Sequence, residues 1–260
     1  MEVIINQTYE QMSRSAAEAV ADVLNAKPNA VLGMATGSTP LGVYKELVRM
    51  HKAGQLDFSQ VTTFNLDEYV GLPVTHPQSY HAFMHDNFFK LVNIPPQNVH
   101  IPSGTTRNYA AFCEWYEARI KQCGGIDVQI LGIGSDGHIA FNEPASSLTS
   151  RTRLKTLARS TIDDNARFFS SRDEVPIYAI TMGVGTIMES RKILLLANGK
   201  KKADAVAQAV EGPVTSMITA SALQMHPDAT VYLDDDAAGK LKMRDYYDWV
   251  KEKKPHAPRV

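Results

Sequence analysis

Cysteine is nearly absent. The 260 residues hold two, Cys113 and Cys123, and neither sits in a C-x-x-C pair. That excludes a disulfide scaffold and a zinc ribbon, and points to free thiols in a reducing compartment, the cytoplasm. An excess of one charge is also missing. Lys and Arg number 27 against 28 Asp and Glu, a net of −1. The balance leaves no footprint for nucleic acid or an anionic membrane. The longest aliphatic run, residues 193–197, falls far short of the roughly 20 apolar residues that span a bilayer. The opening M-E-V-I-I-N-Q lacks the basic and long apolar regions of a signal peptide. No internal repeat, low-complexity tract or linker occurs. A single domain over residues 1–260 is expected, large enough for a full core. The basic run of Lys251, Lys253, Lys254 and Arg259 reads as a solvated, frayed terminus rather than a contact patch.

What is present is an alternation. Apolar runs at 2–5, 30–35, 61–66, 98–101, 126–133, 178–182, 193–197 and 230–233, and the alternating stretch 151–157, read as strands. Helical spacing occupies 9–25, the stretch after Pro40, 79–92, 109–123, 162–169 and 201–210. Strands alternating with helices mean α/β, with a mostly parallel sheet and flanking helices.

Three of these strands end in chemically loaded residues. Ligands of open α/β sheets bind beyond the carboxyl ends of the strands, so neighbouring ends would share one crevice. The first is T-G-S-T-P, residues 36–40. Thr39 can cap the next helix and Pro40 suits its first position. Open backbone N–H groups at a helix start suit a phosphate, although on residues alone a plain capped turn is the better reading. The second is Asp67-Glu68, closing the 61–66 strand. A carboxylate there is either a turn residue or a general base.

The third is the stretch 131–144, L-G-I-G-S-D-G-H-I-A-F-N-E-P. Asp136, His138 and Glu143 stand within eight residues of a tight turn, a poor structural device and a good catalytic one. Residues 132–137 match G-x-G-x-x-G. A dinucleotide fingerprint needs a helix opening at the glycines and an acid about 20 residues on. Pro144 forecloses a long helix and that acid is missing, so the glycines serve a sharp backbone turn instead. His81 and His85 have the H-x-x-x-H spacing of some zinc sites, but no third ligand is evident, and they read as ordinary helix histidines.

At this point F-N-L-D-E-Y-V-G-L (residues 64–72) and G-I-G-S-D-G-H-I-A-F-N-E-P (residues 132–144) resemble the two signature motifs of the glucosamine-6-phosphate deaminase family. M-A-T-G-S-T-P, S-R-T-R-L-K-T-L, N-A-R-F-F and A-V-E-G also match, in order, over nearly the whole chain. The resemblance implies a modified doubly wound, Rossmann-like sheet. It implies an aldose–ketose isomerisation coupled to deamination: D-glucosamine 6-phosphate and water give D-fructose 6-phosphate and ammonia, in amino-sugar catabolism. It implies no redox cofactor and no metal. By the same resemblance, His138 opens the sugar ring with Asp136 and Glu143 assisting, and Asp67 moves the proton between C2 and C1. Gly37, Ser38, Thr39, Arg167 and Lys202 would hold the phosphate. Ser38 stands where many relatives carry a second glycine.

Some relatives are hexamers activated by N-acetylglucosamine 6-phosphate, so a homo-oligomer is expected. The matching activator positions are Ser146, Arg153, Lys155 and Thr156, with Tyr246 as a candidate from the loosely matching end. On residues alone, Arg153 and Lys155 are equally an exposed basic strand face. Residues 158–182, which include Arg167, form a candidate mobile lid. The alternatives are a related sugar-phosphate hydrolase, such as a 6-phosphogluconolactonase-like protein, and a non-catalytic sugar-phosphate sensor.

Overall fold

The structure, a computed structural model, describes residues 1–254. In chain order the elements are β1 (Glu2–Asn6), α1 (Tyr9–Ala26), β2 (Val31–Met34), α2 (Leu41–Lys52), β3 (Thr62–Asn65), β4 (Asp67–Tyr69), α3 (Tyr80–Asn87), β5 (Val99–His100) and α4 (Tyr109–Gln122). Then come β6 (Val128–Gly132), β7 (Arg153–Thr156), α5 (Arg159–Asn165), β8 (Tyr178–Thr181), α6 (Val184–Met188), β9 (Lys192–Ala197), α7 (Ala203–Glu211), β10 (Ala229–Asp234) and α8 (Arg244–Lys253).

Seven strands form the main sheet in the order β1-β10-β9-β6-β2-β3-β5, every pair parallel. Parallel strands with covered faces should be apolar throughout, and β2 and β10 are buried at every position. The carboxyl ends of β3, β2, β6 and β9 are therefore neighbours, which brings the three loaded stretches into one crevice. The core is correspondingly large. Phe64 is fully buried within it, and truncating it to alanine would cost about 3–5 kcal/mol.

The second sheet, β4-β8-β7, is antiparallel and was not expected. The stretch 61–66 does not simply end at Asp67. Leu66 is a joint: its N–H donates to Met34 O at 3.0 Å and its carbonyl accepts from Met182 N at 2.7 Å. Asp67 then opens β4 in the other sheet. Local periodicity cannot show this, because both strands are short and buried. A satellite cluster of Tyr69, Phe141, Leu157, Ile162, Val175 and Ala179 ties the second sheet to α5.

Smaller differences are local. The helix expected over 79–92 stops at Asn87 and resumes as a 3-10 turn, Phe89–Leu91. That expected over 162–169 starts at Arg159 and ends as a 3-10 turn, Ala166–Phe168. The basic run near the end belongs to α8 and is not frayed as far as Lys254. Lys251 Nζ donates to Ile5 O at 2.7 Å, and Lys254 pairs with Glu2 at 2.7 Å. Arg259 lies outside the described residues. No helix among the described residues is long and apolar enough to cross a membrane.

Candidate active site

A cavity of about 340 Å³ opens at the carboxyl ends of β2, β3 and β6. Its walls include Thr36, Gly37, Ser38 and Thr39, Asp67, Gly134 and His138, and Arg167 and Lys202. All three loaded stretches and both expected cations thus meet in one space.

The turn after β2 is built to leave amides open. Gly37 has φ +101°, a backbone that side chains rarely adopt. Thr39 does not cap α2, as the sequence suggested. Its hydroxyl donates instead to Asn198 Oδ1 at 2.7 Å, and Pro40 occupies the cap position without a side-chain bond. The first turn of α2 contains no acid. Its positive end therefore faces the cavity uncancelled, a ready anion cradle. Tyr9 braces the turn from outside. Its hydroxyl lies 3.1 Å from Ser38 O and 3.0 Å from Thr39 O and accepts from Gly42 N at 2.7 Å.

The cations approach this cradle from two other elements. Lys202 ends a 3-10 turn, Lys200–Lys202, held where Asp234 accepts from Gly199 N at 3.0 Å. Burial holds its ammonium below the usual lysine range, with Asp164 and Asp136 pulling the other way and Arg167 adding to the drop. Arg167 stands over the Phe168 ring, 4.7 Å from its centroid. Asp164 also lines the cavity and accepts from Ser135 Oγ at 3.1 Å.

The turn after β6 carries the histidine. A Cβ on Gly134 would fall 2.4 Å from the His138 ring, so glycine is required there for the ring to lie against the backbone. His138 Nδ1 lies 2.7 Å from Asp136 Oδ1 and 3.6 Å from Glu143 Oε2. The angular fit is loose, and Nδ1 makes an ion-pair contact rather than an aligned hydrogen bond. Burial disfavours ionised Asp136, but the close ring and charge of His138, with its backbone N–H donating to Oδ1 at 3.2 Å, outweigh it and hold the carboxyl below its ordinary value. Glu143 Oε1 accepts from Ala158 N at 3.0 Å, just ahead of α5. The donor atoms of Asp136, His138 and Glu143 lie within 4.8 Å of one another, close enough for a cation. Only His138 of the three lines the cavity. Two carboxylates behind a ring suit a proton relay better than an open metal site.

Asp67 lines the same cavity. It is 6% exposed, and no described residue donates a hydrogen bond to its carboxylate. Burial, with the charge of Glu68 next, pushes its carboxyl up to about 8. A carboxylate poised near neutrality and left unpaired inside a cavity is equipped to take a proton.

The sequence missed several wall residues. Tyr69 and Tyr80 line the cavity beside Thr36. Tyr69 follows Asp67 by two positions, so the strand period would have placed it on the same face had 67–69 been recognised as a strand. Asn198 and Asp234 have no local signal, because they act across strands. His81 turns inward, its Nδ1 2.9 Å from Glu68 Oε2, while His85 is exposed beside Asp86, so the two share no ligand site.

The tentative activator residues divide. Lys155 Nζ donates to Ser146 Oγ at 3.0 Å, and Arg153 Nη1 donates to Asn142 Oδ1 at 2.9 Å. Thr156 is exposed, on the other face of β7 from Lys155. Tyr246 lies on α8, which packs on β1 at the sheet edge, in a separate cleft with Met1 and Trp249.

Residues 5–232 match the model of a family described as glucosamine-6-phosphate isomerases/6-phosphogluconolactonase. The chain belongs to that family. The glucosamine-6-phosphate deaminase of Thermoanaerobacter pseudethanolicus is 53% identical over 245 residues, 94% of this chain and 97% of its own. That of Hahella chejuensis is 54% identical over 250 residues, covering 96% and 95%. A solved monomeric glucosamine-6-phosphate deaminase superposes with a TM-score of 0.91 at 47% identity, over 92% of this chain and all of that one. The 6-phosphogluconolactonase of Leishmania guyanensis shares the fold, with a TM-score of 0.70 at 22% identity. The family's sheet is therefore the Rossmann-like one expected, with the small antiparallel sheet added beside it.

Proposed function

We propose that this chain converts D-glucosamine 6-phosphate and water to D-fructose 6-phosphate and ammonia, a reading supported by relatives named glucosamine-6-phosphate deaminase. One observation carries the reading: an unpaired, buried Asp67 and a carboxylate-backed His138 line the same cavity as an anion cradle.

The phosphate anchors on the open amides of Gly37, Ser38 and Thr39, with Lys202 and Arg167 above. His138 works through the ring nitrogen not facing Asp136. It takes the proton of the C1 hydroxyl and returns one to the ring oxygen, opening the pyranose. Asp136 and Glu143 hold the ring in place and balance the charge it gains. Asp67 then removes the C2 proton and delivers it to C1 through an enolamine. The product at C2 is an imine, which water hydrolyses, releasing ammonia and the ketose. Acid–base catalysis of this kind contributes roughly 10²–10⁴-fold.

Further parts of the reading rest on the resemblance. Arg153, Lys155 and Ser146 are the candidate anion site for N-acetylglucosamine 6-phosphate as activator. Residues 158–182 are the candidate lid, within one catalytic domain over residues 1–260. Cytoplasmic residence fits the free thiols of Cys113 and Cys123. A homo-oligomer is the assembly proposed, although the solved relative at 47% identity is monomeric. Light scattering across a concentration series decides between the two.

The test is ammonia release from glucosamine 6-phosphate in chelated buffer without added cofactor. The same preparation should leave 6-phosphogluconolactone untouched. Lactone hydrolysis without ammonia release would transfer the chain to the other branch of the family.

A further inference from the structure

β4 has two faces. Asp67 and Tyr69 look into the cavity, and Glu68, between them, looks away from it. Glu68 is completely buried. A buried carboxylate is costly unless it is well bonded, and this one accepts four times. Oε1 takes Tyr69 N at 2.8 Å and Tyr80 N at 3.0 Å. Oε2 takes His81 N at 3.1 Å and lies 2.9 Å from His81 Nδ1. Two of the bonds reach the first amides of α3, a helix whose opening turn carries no acid of its own. Glu68 therefore supplies that turn with its anion from another element. Tyr80, the residue whose amide it binds, stands in the cavity wall beside Asp67 and Tyr69.

We propose that Glu68 is a positioning residue for the isomerisation step: its clamp on α3 fixes where the Asp67 carboxylate and the Tyr80 phenol stand, and its charge tunes the base beside it. The inference rests on the reading of Asp67 as the base. The titratable groups packed against Asp67 are Tyr69 on the same strand, Tyr80 on α3 and Tyr116 on α4, while His138, Lys202 and Arg167 share its cavity. Across the ladder, β8 presents only Thr181 to Asp67 and Ile180 to Glu68. Of the groups packed against Asp67, Glu68 is thus the only permanent charge, and His81 is the side chain that pairs with it.

Two substitutions separate charge from geometry. Glu68→Gln removes the charge but, because an amide nitrogen cannot accept, also gives up the bonds of one oxygen, so its limb shift is read beside Glu68→Asp, which keeps the charge. Losing a like charge lowers the pH at which Asp67 ionises, so the acid limb of the kcat profile should move down by about half a unit or more. KM should stay within about twofold, because Glu68 does not line the cavity. A folded Glu68→Gln enzyme with its acid limb at the wild-type pH overturns the charge role. Glu68→Asp keeps the charge and withdraws the carboxylate by one methylene. Its kcat should fall at least about tenfold with the limb unmoved. Wild-type kcat in Glu68→Asp overturns the positioning role, and this variant decides the matter if Glu68→Gln does not fold. Both are measured against a wild-type enzyme that releases ammonia. A wild type that releases none refutes the proposed function rather than the role of Glu68.

Discussion

Nδ1 of His138 stands 2.7 Å from Oδ1 of Asp136, behind the ring as seen from the cavity. On the proposed reading the far nitrogen meets the sugar. His138→Gln should therefore slow ring opening most. Turnover with the closed pyranose should fall by roughly 10²-fold or more, the scale of a lost acid–base group. Open-chain substrate should restore part of it. Equal loss with both forms would show that His138 does not serve ring opening.

Asp67→Asn removes the proposed base and keeps the shape. Ammonia release should fall to background while substrate still binds, as read by calorimetry. Near-normal turnover would sink the assignment of the base.

The raised carboxyl of Asp67 also makes a stability prediction. In the unfolded chain it ionises near the ordinary value of 3.8, whereas in the fold it keeps its proton to about 8. The native state therefore binds the extra proton across this window, and wild-type stability declines as pH rises through it. Asp67→Asn cannot ionise and escapes the loss. The difference in Tm between variant and wild type should widen from pH 5 to 8 and level off above. A constant offset would mean that Asp67 ionises normally in the fold.

At the phosphate end, Lys202→Ala should raise KM roughly tenfold to a hundredfold with a smaller effect on kcat, the expected cost of one charge-assisted bond. Asp164→Asn removes a negative charge near Lys202 and should lower KM severalfold at low salt. A rise in KM instead would mean that the hydrogen bond from Ser135 matters more than the charge.

If Arg153 and Lys155 receive the activator, Arg153→Ala should keep maximal turnover at high substrate and lose stimulation by N-acetylglucosamine 6-phosphate. Tyr246→Phe should leave stimulation unaltered within one chain, since α8 lies at the β1 edge. Activation that survives Arg153→Ala would rule out the site.

Much of the crevice could be read directly from the chain. Apolar runs marked β2, β6, β9 and β10 as buried strands, and the parallel sheet's geometry joined their loaded ends, whereas the run 178–182 went to the antiparallel sheet. Three features were not visible. The break at Leu66 depends on Met34 and Met182, distant partners that no local window contains. Thr39 gave up its cap to Asn198, a residue 159 positions away. Glu68 looked like half of an acidic turn because its four donors come partly from α3. Local rules describe what a side chain can do. Tertiary contacts decide which of those options it takes.

The small sheet has one more consequence. Thr181 of β8 is the register partner of Asp67 on one side and of Arg153 on the other. At about 4.8 Å per strand, the base and the basic face of β7 are only about 10 Å apart, joined by one residue. Thr181 also accepts from Phe141 N at 3.0 Å, two residues before Glu143. One residue thus links the strand of Asp67, the strand of Arg153 and the segment that leads to Glu143.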